Sequence, residues 1–508
     1  MRHFTGTNVK TIAFLGVEAT EVVVQVQIQA GLPAFTLVGL PDKTVAESRE
    51  RIRAALFSLG LALPAKRITV NLAPADLQKE GSHYDLPIAL GLLVAMGVIP
   101  SDALEEYCVL GELGLDGQIA RVSGVLAAAV YAHSCDLGLI CPKACGAEAR
   151  WAGSPNILAA ADLIALISHF KGKQVLDSPV LQESAPSSFQ TKSLLSAVKG
   201  QPLAKRALEI AAAGGHALLL SGPPGAGKSM LATALVELLP PLTPEEALEV
   251  TIIHSLVGTL PEDGLVRDRP FRDPHHSASL VSLVGGGAHA KPGEISLAHC
   301  GVLFLDELPE FARATLEALR QPLETGRISI ARAQMHVSYP ARFQFVAAMN
   351  PCPCGYASDP ERACSRLPRC MEAYKGRISG PFLDRIDLYV EVDDIPLENL
   401  FHSSEEDKVF EDIRLRVASA RIRQYQRAQL LSLPASLNAH IDGSNIEKLV
   451  PLEASSQTFL EGAAKHRKIS SRGYHRILKV ARTIADLENA ETITKVHLAE
   501  ALHFRWQR

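Results

Sequence analysis

Apolar and polar positions in this chain change period several times. Val22-Val-Val-Gln-Val-Gln-Ile28 and Arg67-Ile-Thr-Val-Asn-Leu72 alternate or run apolar as strands do. Between them, Asp42 to Leu59 has helical spacing, with Glu47, Arg49, Glu50, Arg51 and Arg53 on its charged face. Leu86 to Val98 is apolar almost all round, which predicts a buried helix. Together these predict a mixed α/β unit over residues 1–170. Lys171 to Lys192 then turns polar, with Pro179, Pro186 and the Ser184–Ser188 cluster, and reads as a linker. Over residues 193–395 short apolar runs dominate. Ala217–Leu220 reads as a buried parallel strand, and Val302–Leu305, Phe343–Met349 and Leu388–Val392 as further buried strands. Leu195 to Ala212 is helical, interrupted at Val198-Lys-Gly-Gln201, a loop that reads equally as a helix start or as an adenine contact. From Pro396 to residue 508 the period is helical, ending in helices from Ser470 to Glu488 and from His497 to Trp506, the latter capped by Thr494.

Composition narrows the class. A chain of 508 residues accommodates two to four domains at roughly 100–200 residues each. A net charge of −4 excludes a globally basic nucleic-acid binder, so any such surface is local. No run of 18 apolar residues is present, and Met1-Arg-His-Phe-Thr-Gly6 has no apolar signal core. Nine cysteines, an odd count spread over a long chain, suit a cytoplasmic protein with reduced thiols, some of them free to bind metal.

The chemistry begins at Gly222-Pro223-Pro224-Gly225-Ala226-Gly227-Lys228-Ser229, set between an apolar run and a helix-like run from Met230 to Leu239. Glycines let backbone N–H groups turn inward around a phosphate chain, and the helix N-terminus adds its positive dipole. In this P-loop pattern Lys228 reaches the β- and γ-phosphates and the Ser229 hydroxyl binds Mg²⁺. About 80 residues on, Gly301-Val-Leu-Phe-Leu delivers Asp306 and Glu307 to a strand end. Asp306 is placed to hold Mg²⁺, and Glu307 to polarise the water that attacks ATP. Asn350 ends another apolar strand, where it can orient that water or sense the γ-phosphate.

Other stretches admit two readings. Thr325 to Ser338 suits a β-hairpin whose Arg327 and Arg332 either grip phosphates or form a solvated turn. Cys352, Cys354, Cys364 and Cys370 lie within 19 residues and suggest a zinc knuckle, made basic by Arg362, Arg366 and Arg369. Arg385, in Leu383-Asp-Arg-Ile-Asp387, sits far along the chain from the P-loop and suits a finger acting on a neighbouring copy. Arg472, at a helix start, can reach a γ-phosphate from a lid. His275-His276 reads as part of a polar loop (267–289) rather than a metal pair, since adjacent residues share no helix face. Ser82 near Lys79 reads as a turn and cap rather than a Ser–Lys nucleophile. Arg414, Arg416, Arg421, Arg423 and Arg427 read as a solvated helix face, with a nucleic-acid or subunit surface as the alternative.

The order of these motifs resembles that of AAA+ ATPases. The hairpin between Asp306-Glu307 and Asn350 resembles the branch containing magnesium chelatase and the MCM helicases. Pro274-His-His276, Pro292-Gly-Glu-Ile-Ser-Leu-Ala-His299, Asn350-Pro-Cys-Pro-Cys-Gly355 and Ser471-Arg-Gly-Tyr-His-Arg476 resemble the ComM/YifB family of magnesium-chelatase-like proteins over nearly the whole chain. The resemblance implies a ribosomal-S5/Lon-protease-like α+β domain over 1–170, a linker at 171–192, an AAA+ core with a presensor-1 hairpin over 193–395, and a helical lid over 396–508. It implies a hexameric, ATP- and Mg²⁺-dependent helicase acting on single-stranded or branched DNA, promoting branch migration in recombination during natural transformation. The alternative is a protein-remodelling or chelatase-type motor with no DNA cargo. By motif match, Lys228 and Ser229 belong to Walker A, Asp306 and Glu307 to Walker B, Asn350 is sensor 1, Arg385 the trans finger and Arg472 (less firmly Arg476) sensor 2. Two departures stand out. Family members often carry a second Cys-x-Cys, whereas Cys364 and Cys370 are five residues apart here. The serine of the Lon-like Gly-Pro-Ser-Ala-Gly is replaced by Tyr84-Asp85, so no peptidase activity is expected.

Overall fold

Two sheets organise the chain, seen here in a computed structural model. It describes residues 6–154, 156–180, 194–287, 290–332, 335–357, 365, 367–393, 406–433, 436–443, 445–446, 452–467 and 469–505. The first sheet has seven strands, in the order Ala34–Val38, Arg67–Ala73, Glu18–Gln29, Thr7–Leu15, Tyr107–Val109, Gly138–Pro142 and Ile157–Ala160. Its pairings are mixed, antiparallel around Glu18–Gln29 and parallel elsewhere. The helix Asp85–Ala95 packs on this sheet with residues 85 to 94 all buried, as its unbroken apolar sequence requires. The helix Lys43–Ser58 starts where Asp42 Oδ1 accepts from Val45 N at 2.7 Å. Arg51 then joins it to the buried Asp85, with contacts of 2.6 and 2.9 Å. The Ser82 hydroxyl donates to Glu112, while the Lys79 ammonium is buried and donates to the Pro74 carbonyl, so the two have separate partners.

The second sheet is wholly parallel: Phe271–Arg272, Val302–Leu305, Gln344–Met349, Leu218–Ser221 and Leu388–Glu391. The sequence reading left Phe271–Arg272 inside a loop. Two residues are too few to show a period, and only pairing with Val302 and Leu303 makes them a strand. All residues of the three middle strands are buried, which explains their continuous apolar sequence. The helices Pro202–Gly214 and Lys228–Leu238 share one apolar cluster with the C-terminal helices Glu406–Leu430, Ser471–Leu487 and Lys495–His503. The last helix starts at Lys495 and ends at His503, slightly before the expected span.

The helix Glu406–Leu430 corrects one expectation. Arg416 pairs with Glu209 at 2.6 Å, Arg421 donates to Ala212 O at 2.8 Å, and Arg427 grips Asp486 with two contacts of 2.7 Å. These arginines reach partners on other helices, although Arg416 stays 47% exposed and Arg414 lies on the solvated face as expected; Phe410, Ile413, Val417 and Ala420 form the buried face. The cause is the pair of buried carboxylates, Glu209 and Asp486, which need cations beside them and draw Arg416 and Arg427 to them.

The two sheets meet through the helix Pro244–Val257. Its Ser255 donates to the buried Glu148 carboxylate and accepts from Gly124 N at 3.0 Å. Trp151 Nε1 donates to Asp263 O at 3.1 Å, and the Arg267 guanidinium lies 5.2 Å from the Trp151 ring centre. Burial pushes the Glu148 carboxyl above its ordinary pKa.

Candidate nucleotide site

The P-loop turns between Ser221 and Lys228. Gly225 and Gly227 have φ of +83° and +85°, the left-handed region that glycine enters without strain. Gly222 is required for another reason, since a Cβ there would lie 2.1 Å from the Val392 carbonyl oxygen. Lys228 opens the following helix, and its ammonium donates to Gly222 O at 2.7 Å, Pro223 O at 2.7 Å and Asn350 Oδ1 at 3.1 Å. All three donors are engaged by the loop and by the end of the adjacent strand, so phosphate binding exchanges these contacts rather than filling an empty valence.

Parallel pairing brings the strand ends together. Ser229 Oγ donates to Asp306 Oδ2 at 3.0 Å, although 77 residues separate them. Two hard oxygen donors at the C-terminal edge of a parallel sheet fit Mg²⁺ chemistry. Asp306 Oδ1 accepts from Glu307 N at 2.8 Å, and Glu307 has a left-handed φ of 51°, uncommon for a residue other than glycine. Its carboxylate is half exposed, and Oε2 lies 3.1 Å from His276 Nδ1. The sequence reading placed His276 in a polar loop and gave it no role. Its signal was weak, because 31 residues separate it from Glu307 and no local pattern links them.

Arg385 and Arg472 lie at the other side of the core. Arg385 is 7% exposed, donates to Pro381 O at 2.7 Å and pairs with the Glu324 carboxylate. Desolvation, with the charges of Arg320 and Arg472 adding to it, moves its pKa below the ordinary arginine value. Arg472 is exposed at the start of Ser471–Leu487. Arg476, one turn later, is occupied structurally: Nη1 donates to Arg385 O at 2.6 Å and to the buried Asp387 carboxylate.

The hairpin forms with Arg327 opposite Pro340 and Arg332 opposite Met335. Ile328, Ile330, Val337 and Tyr339 are buried beneath it, whereas Arg327, Ser329, Ala331, His336 and Ser338 face outward. The Arg332 side chain lies outside the described residues.

The cysteines divide. Cys352 and Cys354 have sulfurs 3.0 Å apart, and Cys370 begins a helix nearby in sequence, while Cys364, Arg362 and Arg366 lie outside the described residues. Among the described residues, Cys352, Cys354 and Cys370 form no group of three within metal-ligand reach of one another, and the fourth cysteine of the expected knuckle lies outside them. Among the described residues, one mixed group does come that close, Glu249, His299 and Cys300. Its imidazole is spent, with Nδ1 accepting from Arg342 N at 3.1 Å and Nε2 meeting Glu249 at 2.9 Å, and the Arg342 guanidinium occupies the same carboxylate. That arrangement is a hydrogen-bonded joint that leaves no lone pair on the imidazole for a metal. Among the described residues, no helix is long and apolar enough to cross a membrane.

Comparison with known proteins agrees with this geometry. Three family models match: "Subunit ChlI of Mg-chelatase" over residues 24–144, "Magnesium chelatase, subunit ChlI" over 194–400, and "Magnesium chelatase, subunit ChlI C-terminal" over 408–505. Uncharacterized protein YifB of Escherichia coli is 46% identical over 98% of this chain and 96% of its own length. Competence protein ComM of Haemophilus influenzae is 45% identical over 97% and 96%. Uncharacterized protein Rv2897c of Mycobacterium tuberculosis is 39% identical over 97% of both.

Proposed function

The chain belongs to the ComM/YifB family of magnesium-chelatase-like proteins, and from that premise we propose an ATP-hydrolysing motor that moves DNA. The observation that carries the reading is the convergence of Lys228, Ser229, Asp306, Glu307 and Asn350 on one edge of a parallel sheet. Lys228 would neutralise phosphate charge, and Ser229 and Asp306 would hold Mg²⁺, which supplies charge neutralisation on the phosphate oxygens. Glu307 polarises a water whose oxygen bonds to the γ-phosphorus as the bond to the β–γ bridging oxygen breaks, releasing ADP and inorganic phosphate. Asn350 orients that water or the γ-phosphate.

DNA enters the reading through the relative named a competence protein and through the exposed Arg327 at the base of the hairpin. On this account the protein works in the cytoplasm as a homohexamer, on single-stranded or branched DNA, in branch migration during natural transformation. Arg385, on the far side of the core, acts on the ATP held by a neighbouring copy, and Arg472 assists from the lid. The N-terminal unit is a ribosomal-S5/Lon-protease-like domain without peptidase chemistry, consistent with the separate partners of Ser82 and Lys79.

The test is hydrolysis by the full chain with and without a forked oligonucleotide. Glu307→Gln is expected to bind ATP and lose turnover by roughly 10²-fold or more, the range of a displaced general base. Arg327→Ala is expected to lose oligonucleotide binding and keep ATP binding. Arg385→Ala mixed with Lys228→Ala is expected to regain hydrolysis, because each copy supplies what the other lacks. A monomer that hydrolyses ATP at full rate and ignores DNA would end this reading.

A further inference from the structure

A cleft of about 390 Å³ lies where the N-terminal unit meets the hairpin, and none of the chemistry described above uses it. Its N-terminal wall carries Ser82, His83, Glu112 and Arg121, and the facing wall carries Lys291 with Val337 and Tyr339 of the hairpin. The walls touch at one end. Gly16 turns there at φ +69°, and a Cβ on it would lie 2.6 Å from Val337 Cγ1. Lys291 is held by its strand pairing with Gly286 and by Tyr339, whose hydroxyl donates to the adjacent Ala290 O at 2.9 Å. Arg121 follows the strand Ile119–Ala120, which pairs with the strand that holds Glu112.

The charges of this cleft are matched on one side only. Its carboxylates are already served. Asp42 caps the helix Lys43–Ser58, whose dipole favours a negative charge there. Glu112 accepts from the Ser82 hydroxyl and lies in the field of Arg51, and Glu80 has an interaction of its own. Arg121 and Lys291, by contrast, are exposed and pair with no carboxylate among the described residues; Arg121 reaches the buried Glu148 only through its field. Two unmatched cations on facing walls of a cleft concentrate an anion between them. His83 adds a directional group. It is 6% exposed, and its Nε2 lies 3.0 Å from Ile12 O. A carbonyl only accepts, so Nε2 carries the proton. Desolvation lowers the pKa of the ring and keeps it neutral, which leaves a lone pair on Nδ1. Gly81, left-handed at φ +98°, keeps that nitrogen uncovered, since a Cβ there would lie 3.1 Å from it.

We infer that this cleft binds a small phosphorylated ligand with free hydroxyl groups, a sugar phosphate on its own or within a mononucleotide. The phosphate sits between Arg121 and Lys291, and a hydroxyl donates to His83 Nδ1. A phosphate monoester carries about −1.5 to −2 charges at neutral pH, which suits two cations. The volume lies within the range of small-molecule sites. Because one cation comes from each wall, the bound ligand ties the N-terminal unit to the hairpin. The site stands whether or not the hairpin carries DNA.

The experiment titrates the full chain calorimetrically with ribose 5-phosphate, AMP and inorganic phosphate, with ADP and Mg²⁺ present to fill the P-loop. Ribose 5-phosphate is expected to bind with a Kd below about 1 mM and to raise the melting temperature. Arg121→Ala and Lys291→Ala are each expected to weaken it roughly tenfold, the worth of one hydrogen bond to a charged group. Both leave the melting temperature without ligand unchanged, because the cations are exposed and unpaired. His83→Gln keeps an N–H donor as many bonds from the backbone as Nε2 and removes Nδ1. In that variant ribose 5-phosphate is expected to bind no more tightly than inorganic phosphate. AMP binding more tightly than ribose 5-phosphate, with the same sensitivity to Arg121→Ala, assigns the site to nucleotides; the reverse order assigns it to free sugar phosphates. If no probe binds more tightly than about 1 mM, or if binding survives both alanine substitutions, the site is refuted. A His83→Gln protein that still prefers the sugar phosphate would overturn the hydroxyl contact, while the two cation variants would still decide the phosphate position.

Discussion

Replacing Arg476 with methionine tests how the C-terminal helices are fastened to the parallel sheet that carries the proposed nucleotide site. Asp387 is 7% exposed and receives Arg476 on Oδ1, with Ala217 N at 3.1 Å and His216 Nδ1 at 3.4 Å on Oδ2. Arg476 also donates to Arg385 O at 2.6 Å, so one guanidinium ties the helix Ser471–Leu487 to the segment bearing the proposed finger. Removing one partner of a buried pair costs about 3–5 kcal/mol. Because the Arg476 side chain is 23% exposed, the lower end, about 3 kcal/mol, is expected. At about 2–4 °C per kcal/mol this lowers the melting of the core and lid by roughly 6–12 °C.

The pH dependence supplies the check. Burial pushes the Asp387 carboxyl up, but the charge of Arg476 and the hydrogen bond from His216 outweigh it and hold the group well below the usual carboxylate range. A depressed pKa contributes stability that is complete above the unfolded value of about 3.9 and is lost as pH falls through the folded one. In the unmodified protein this contribution is therefore flat from neutral pH down to about 5. In Arg476→Met the carboxyl loses its main stabilising charge and protonates more readily, so the deficit is widest near neutral pH and narrows toward pH 5. Thermal melts of both proteins at several pH values measure this. A melting point lowered by less than about 2 °C, or a deficit that widens on acidification, would refute the reasoning.

Two further outcomes follow from the same structure. Gly355 has φ +85°, and a Cβ there would lie 2.5 Å from Cδ of Pro224 in the P-loop. Left-handed strain of about 1–2 kcal/mol applied against a rigid ring should make Gly355→Ala bind ATP roughly 5–30-fold more weakly, with the secondary structure intact by circular dichroism; unchanged affinity in a calorimetric titration would show that this turn does not support the P-loop. His83, His254 and His299 are buried, and desolvation lowers the pKa of each. Their stability contribution is full above about pH 6.5 and lost as pH falls, so urea midpoints should drop between pH 7 and pH 5, and a constant midpoint would contradict it. Glu148, whose pKa burial raises, works in the opposite direction and moderates that drop.

The parts of the site legible in the sequence were those that local strings encode. Gly222 to Ser229 needs particular residues at consecutive backbone positions, so its chemistry is written contiguously. Asp306 and Asn350 were found because a fully buried parallel strand has a continuous apolar sequence, and the residue after it marks the ligand edge. Strand order could not be read, yet strand order is what sets Asn350 beside Lys228 and His276 beside Glu307. The helix Glu406–Leu430 shows the limit most clearly. Its apolar positions Phe410, Ile413, Val417 and Ala420 are buried as their helical period requires, but the period does not show that Arg416, Arg421 and Arg427 find partners on other helices. The deciding partners, Glu209 and Asp486, lie 207 residues from Arg416 and 59 from Arg427. A buried carboxylate fixes where an arginine of a distant helix reaches, and only the folded chain shows where such carboxylates are. The same dependence on distant partners separates Arg476 from Arg472. They share a helix and a charge, but Asp387 engages the first in structure and leaves the second exposed.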